Sequence, residues 1–235
     1  MSLMDETAVA AAVRKARAAQ PAWAKLSYRE RARFILRARD IVLDQLEEIA
    51  KLISRETGKP ASEAISMEIV PTLDLMYYFA HHTRHLLDRR KIDIGQYNFM
   101  ARSSYIVYKP LGVVGIISPW NFPWATPLDE VVMALMAGNA VVVKPSELTP
   151  LNALKIADIF KQAQLPDGLL EIVTGDGTTG AALVDACVNK IMFTGSVKTG
   201  KRVAEAAAKH LTPVSTSAAP VDPSPVTTSS KPSGS

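Results

Sequence analysis

Two glycine-punctuated stretches carry spacings by which proteins commonly hold phosphate. Gly175-Asp-Gly177-Thr-Thr-Gly180 is a literal G-x-G-x-x-G that follows one apolar run and opens a helical one. In that context backbone amides can approach a pyrophosphate, although a tight strand-to-helix turn asks for the same glycines on geometry only. No acidic residue ends the next strand to hold a ribose. Gly195-Ser196-Val-Lys-Thr-Gly200-Lys201-Arg202 falls one residue short of a P-loop. The position after the lysine must offer a hydroxyl to Mg²⁺, and Arg202 has none, so an NTPase is the remotest reading. Gly195 and Ser196 nevertheless stand at a predicted helix N-terminus, where free amides and the helix dipole favour phosphate. His81, His82 and His85 resemble a metal cluster, but no carboxylate or cysteine adjoins them, and surface histidines are expected. Cys187 is the single cysteine, with no neighbouring base. A small, inert, partly buried thiol is the expected reading.

The elements that must position these residues are legible from apolar periodicity. Gly112 to Ile117 and Val141 to Val143 are short β-branched runs of the kind buried on both faces of a parallel sheet. Between them, residues 127–137 read as a helix, with Pro127 at its first position, Asp129 and Glu130 in its first turn and Gly138 past its end. The unit is a right-handed βαβ crossover, and ligands in such sheets bind beyond the carboxyl ends of the strands. Those ends are the loops Ser118 to Pro123 and Lys144 to Glu147. The alternation continues with a helix capped by Thr149-Pro150, a strand over 169–174, a helix over 179–186, a strand over 190–194 and a helix over 197–210.

Upstream, helices are predicted over 5–19, over 27–55 from a Ser27/Glu30 capping box, and over 61–85 with a kink at Pro71. Arginines 29, 31, 33, 37 and 39 invite a phosphate-binding reading, but interleaved acids make a solvated helix face the expectation. Residues 91–109 change to alternating β-branched and aromatic residues, two strands of a projecting hairpin suited to pairing with another chain. Residues 215–235 are Ser, Thr, Pro and Ala with few charges, predicting a disordered tail and the loss of a fifth sheet strand. An exposed sheet edge and poor solubility follow.

Composition narrows the function classes. The chain has 235 residues, 48% hydrophobic and 21% charged, with a net charge of +4. That balance is too diffuse to point to nucleic acid. One cysteine excludes an internal disulfide framework and fits a reducing compartment. The longest apolar stretch, 131–143, is broken at Gly138-Asn139 and falls short of the roughly 20 residues of a membrane span. With no apolar leader at the N-terminus, a cytoplasmic location is expected.

Pro119-Trp-Asn-Phe-Pro123, Lys144-Pro-Ser-Glu147 and Phe193-Thr-Gly-Ser196 occur in this order on successive strand ends. Together with Leu111-Gly-Val-Val-Gly115 and Ala137-Gly-Asn-Ala-Val-Val-Val-Lys144, this set resembles the aldehyde dehydrogenase superfamily over roughly residues 5–214. The resemblance implies an α/β fold: an incomplete, modified Rossmann-type parallel sheet preceded by N-terminal helices and the hairpin arm. The parts would be 1–90 helical, 91–110 bridging or oligomerisation hairpin, 111–214 dinucleotide-binding and 215–235 tail. It implies NAD as cofactor, with NADP possible, held by Lys144 and Glu147 at the adenosine ribose and by Gly195 and Ser196 at the pyrophosphate, with Ser146 also among the cofactor-binding residues. Ile117, Ser118, Pro119, Trp120, Gly177, Gly180 and Phe193 would line the groove. Asn121 would donate its amide to the oxyanion of a thiohemiacetal.

The same reaction requires a nucleophilic cysteine and a glutamate base beyond the fifth strand. Here Ser215-Thr-Ser-Ala-Ala-Pro220 stands where the family's Glu-Leu-Gly-Gly-Lys run is expected, and Cys187 is no substitute. The expectation is a chain that binds cofactor but does not oxidise aldehydes unaided. The alternative is a non-catalytic nucleotide-binding or docking protein whose hairpin pairs with a full-length homologue, as a homo- or hetero-oligomer.

Overall fold

The computed structural model describes residues 3–96 and 103–219. A hairpin of β1 (Arg90–Ile92) and β2 (Ser104–Ile106) stands apart from a sheet of five strands. The sheet comprises β3 (Val113–Ile117), β4 (Ala140–Lys144), β5 (Leu170–Ile172), β6 (Lys190–Ser196) and β7 (Val214–Ala219), in the order β5-β4-β3-β6-β7. Every pairing in it is parallel. All residues of β3 and β4 are buried, which is why their sequences are continuous apolar runs, up to Lys144 at the end of β4, and not alternating ones. From β3 the chain runs to one side through β4 and β5, then crosses back to the other side of β3 for β6 and β7, so the topological switch point lies between β3 and β6.

Helices α1 (Glu6–Lys25), α8 (Gly177–Asp185) and α9 (Val197–Ala208) pack in succession along the sheet. Helices α6 (Ala125–Met136) and α7 (Pro150–Gln162) pack against β3, β4 and β5 and carry α2 (Tyr28–Asp44), α3 (Leu46–Thr57) and α5 (Val70–Leu87) as an outer layer. One hydrophobic cluster runs through all of them, from Val9 and Trp23 through Ile35 and Met76 to Ile191 and Ala207.

Several boundaries differ from expectation for physical reasons. Helix α1 continues through Pro21, because buried Trp23 anchors the last turn with its Nε1 donating to the carbonyl of Leu135 at 2.9 Å. The helix expected over 27–55 is two helices broken at Gln45, where no glycine or proline marks the break and the apolar period reads through it. The Ser27/Glu30 capping box is formed. Upstream of α5, a short helix α4 (Ala61–Ala64) widens into a π-helical turn, Ile65–Ile69, immediately before Pro71. The wider turn accommodates a proline that lacks an N–H and crowds the preceding carbonyls.

The fifth sheet strand, expected to be lost, is present. β7 pairs with β6 from Ile191 opposite Val214 to Ser196 opposite Ala219. A parallel ladder is made by backbone groups, and a Val-Ser-Thr-Ser run can adopt the extended form at a sheet edge, so composition misleads there. The exposed edge therefore lies on β7, not on β6. The remainder of the expected tail, 220–235, and the hairpin tip, 97–102, lie outside the described residues.

Candidate functional site

The carboxyl ends of β3, β4 and β6 open into a groove of about 890 Å³, within the range that holds cofactors and small ligands. Ile117, Ser118 and Pro119 line it from β3, Lys144, Ser146 and Glu147 from β4, and Phe193, Gly195 and Ser196 from β6. Gly177 and Gly180 of α8 close one side. Eleven of the twelve residues named as cofactor-binding from sequence thus surround one cavity; Trp120, 53% exposed, does not line it.

The groove's local structure follows from its sequence. The Ser118 amide donates to the carbonyl of Lys144 at 3.2 Å, holding the two strand ends together. The Ser118 hydroxyl is buried without a hydrogen-bond partner. The Lys144 side chain is 6% exposed, and its Nζ lies 3.3 Å from Oε2 of Glu147, which is 54% exposed. A cation and a carboxylate at a strand end can donate to and accept from vicinal hydroxyls.

The glycine motifs resolve differently from their appearance. A methyl group at Gly175 would collide with the Thr179 hydroxyl, which donates to the carbonyl of Met4 at 2.9 Å. Asp176 caps α8 by accepting from the Thr178 amide at 2.8 Å, and these hydrogen bonds hold its carboxyl below the usual range. The first glycine is therefore explained by the turn, while Gly177 and Gly180 face the groove. At the near-P-loop, the Phe193 ring occupies the space a side chain would need at Gly195 and crowds that at Gly200. The Ser196 hydroxyl accepts from the Thr199 amide at 3.2 Å, capping α9. Thr199 and Arg202 on the first turns of α9 also line the groove. Neither was singled out from sequence for this groove, since only the rotation of α9 brings them there.

Asn121 is exposed in the loop after β3, outside the groove lining. Its carbonyl accepts from Lys59 Nζ at 2.9 Å, and Lys59 lies 4.4 Å from the centre of the Phe122 ring. Lys59 Nζ also donates at 2.6 Å to Glu68, whose other oxygen accepts from the amides of Trp124 and Ala125 at 2.9 and 3.1 Å. Glu68 is fully buried on the π-helical turn. This clamp fixes the backbone around Asn121, and only contacts between distant segments could reveal it.

Two further carboxyls are perturbed. Asp129 and Glu130 are not first-turn charges, because α6 begins at Ala125. Burial pushes Glu130 up to about 7, against a hydrogen bond donated by Thr194 Oγ1 at 3.2 Å, and the neighbouring Asp129 pushes in the same direction. Burial also pushes Asp129 up to about 6. Thr194 lines the groove, so Glu130 stands directly behind its wall.

Cys187 is exposed, not partly buried, in a left-handed conformation (φ 54°) after α8 and outside the groove lining. Its thiol donates to the Asp185 carbonyl at 3.4 Å. His81 and His82 each bond through Nδ1 to the carbonyl one turn back, at 2.8 and 2.9 Å. Among the described residues no group of three or more potential ligands could hold a metal. No described helix is long and apolar enough to cross a membrane.

A parallel sheet of this order with a groove at its switch point defines an α/β protein of the Rossmann type. Residues 1–229 match the aldehyde dehydrogenase family, and the chain belongs to it. It is 40% identical over 201 residues to 4,4'-diapolycopene aldehyde oxidase of a Methylomonas species, covering 85% of this chain and 38% of that protein. It is 37% identical over 211 residues to betaine aldehyde dehydrogenase of Vibrio vulnificus, covering 89% of this chain and 42% of that protein. The NAD⁺ complex of an aldehyde dehydrogenase from Bacillus cereus superimposes with a TM-score of 0.85 at 34% identity, over 91% of this chain and 43% of the other. PnpE from a Pseudomonas species, in complex with nicotinamide adenine dinucleotide, gives 0.87 at 34% identity, over 93% and 44%. The chain thus spans about two-fifths of the length of the curated relatives it matches.

Proposed function

We propose that these 235 residues bind a nicotinamide dinucleotide, NAD in preference to NADP, and do not oxidise aldehydes unaided. The groove across β3, β4 and β6 carries this reading: it combines a switch-point position, a buried unpartnered hydroxyl and a Lys–Glu pair. When bound, the dinucleotide supplies a hydride acceptor. Lys144 donates to ribose oxygens and Glu147 accepts from ribose hydroxyls, while the carboxylate repels a 2′-phosphate. Ser196 and the Gly195 amide meet the pyrophosphate at the N-terminus of α9, a role that requires the Ser196 hydroxyl to exchange its Thr199 contact. Asn121, held by the Lys59 clamp, presents its amide toward an oxyanion. The only thiol within these residues, Cys187, is outside the groove lining, so the acyl-forming step needs a nucleophile from elsewhere.

Titration of the chain with NAD⁺, with Mg²⁺-ATP as control, tests the reading. Saturable NAD⁺ binding without ATP binding is expected, together with no aldehyde-dependent NADH formation. Binding of neither nucleotide, or steady turnover of aldehydes, would overturn it.

A second reading concerns assembly. Tyr105, Ile106, Val107 and Tyr108 are 42, 43, 59 and 40% exposed on and beside a two-stranded hairpin that, among the described residues, joins no larger sheet. Such a ribbon is marginal in water, and pairing with another copy or a longer relative covers it. Light scattering at rising concentration tests this, with a concentration-independent monomer as the contrary result. An exposed free thiol fits a reducing location such as the cytoplasm.

A further inference from the structure

At the opposite end of the sheet from the cofactor groove, a second cavity of about 700 Å³ opens beside Leu111 and Asn139, which precede β3 and β4. Its charged lining is wholly cationic: Arg29, Arg31, Arg84 and Lys109 face it, and no Asp or Glu does. None of the four forms an ion pair among the described residues. Arg31 is the buried member of the four. It is 4% exposed, its Nε is buried without a hydrogen-bond partner, and its guanidinium lies 4.8 Å from the centre of the Tyr28 ring. The reading of the α2 arginines as a solvated face is therefore wrong at this position.

Burial of an unpaired guanidinium is costly, and desolvation holds Arg31 below the usual guanidinium range. The fold nevertheless makes room for it. Gly138 follows α6 with φ +89°, and a methyl group there would collide with Arg31 Nη1. Around it the walls are already satisfied. Asn139 Oδ1 accepts from the amides of Leu111 and Gly112 at 2.7 and 3.1 Å, and its Nδ2 donates to the Ala134 carbonyl at 3.1 Å. The Tyr108 hydroxyl accepts from Arg90 at 2.6 Å and keeps its own proton for donation.

We infer that this cavity is a second, independent binding site, for a small oxyanion-bearing molecule of two or more negative charges, seated on the Arg31 guanidinium and closed by Arg84 and Lys109. A planar guanidinium pairs bidentately with phosphate or carboxylate, and exposed lysine and arginine on the rim complete the neutralisation. The site owes nothing to the dinucleotide reading, since the length of β3 separates the two cavities.

Isothermal titration of the 235-residue chain with inorganic phosphate, pyrophosphate and citrate at low salt tests the inference. One saturable site is expected, weakened about tenfold or more in the doubly substituted R84A/K109A chain, whose altered residues are exposed and leave the core intact. Arg31→Lys keeps the charge, loses the fork and weakens binding by a similar factor. Lys144→Met, in the other groove, leaves the affinity within about twofold, as does saturation with NAD⁺. No saturable binding of any of the three anions, equal binding by R84A/K109A, or loss of binding in K144M overturns the inference. Anion binding without NAD⁺ binding would sink the dinucleotide reading and leave this one standing.

Discussion

Glu68 Oε1 lies 2.6 Å from Lys59 Nζ, with the glutamate wholly buried and the lysine side chain 10% exposed. The pair joins α4 and its π-helical extension to the loop that carries Asn121, and Glu68 also occupies the N-terminus of α6. The same device recurs at α7. The Thr149 hydroxyl, expected to cap that helix, is buried and unbonded, while Glu56 of α3 accepts from the amides of Leu151 and Asn152 at 3.0 and 3.1 Å. The N-terminal helices thus supply the carboxylates that finish two helices of the sheet layer, a favourable placement of negative charge on the helix dipole.

Glu68→Gln is expected to destabilise the chain by about 3–5 kcal/mol, because it strands Lys59 beside a buried neutral amide and weakens the acceptor for two amides. Urea denaturation measures this. Lys59→Met should cost a comparable amount, and the double substitution less than the sum of the two, since the partners are then removed together. Additive losses would show that the two groups do not act as a pair.

Glu130 and Asp129 set a pH dependence opposite in sign to that of ordinary surface carboxylates. Their folded values, about 7 and about 6, lie above the ordinary 4.5 and 3.8. Between about pH 4 and pH 7 the folded chain therefore holds protons that the unfolded chain has released, and stability falls as pH rises through that window. Below it both states are protonated and the penalty vanishes. For Glu130 the loss is on the order of 3 kcal/mol by linkage, and Asp129, less buried, adds a smaller share. Glu130→Gln should flatten the profile and raise the melting temperature at pH 8. A stability that climbs from pH 5 to pH 8 in the native chain would rule out this account.

The parts of this fold that were legible in the sequence are those where backbone demand and side-chain type coincide. Gly112 to Ile117 and Val141 to Val143 read as buried strands because a doubly covered strand is apolar on both faces, and the loops at their ends marked the site whose residues the family resemblance then named. β7 was missed because an edge ladder asks little of its side chains, and Ser-Thr-Ser matches a disordered composition equally well. The break at Gln45 carries no local marker. Glu68, Glu56 and Arg31 were illegible for another reason. Each is an ordinary polar residue on an amphipathic helix until a segment tens of residues away is brought against it. Periodicity identifies a face, not the group that meets it.

Gly112→Ala should cost on the order of 2–3 kcal/mol. Its φ of +126° is unfavourable for any L side chain, and a methyl group there would displace Asn189 Oδ1, which accepts from the Val113 amide at 2.9 Å. Gly177→Ala is the control: nothing lies within 4 Å of the added carbon and the backbone is unstrained. Its effect on the unfolding free energy should stay within about 0.5 kcal/mol. Equal effects of the two changes would mean that the turn before β3 relaxes freely.

The nucleotide preference rests on two residues of unequal burial. Lys144 is nearly buried and Glu147 half exposed, so they are separable by substitution. Lys144→Met removes a charge-assisted donor from the groove and should weaken NAD⁺ binding by roughly 10- to 100-fold. Glu147→Gln retains an acceptor oxygen and removes the charge. NAD⁺ affinity should then change by less than about fivefold, while NADP⁺ affinity rises by about tenfold as repulsion of the 2′-phosphate disappears and Lys144 is released from its partner. Parallel fluorescence titrations of both nucleotides against the three chains measure the two ratios. If Glu147→Gln leaves the NAD⁺ to NADP⁺ ratio unchanged, discrimination lies elsewhere in the groove, and Arg202, on the first turns of α9, is the next residue to replace.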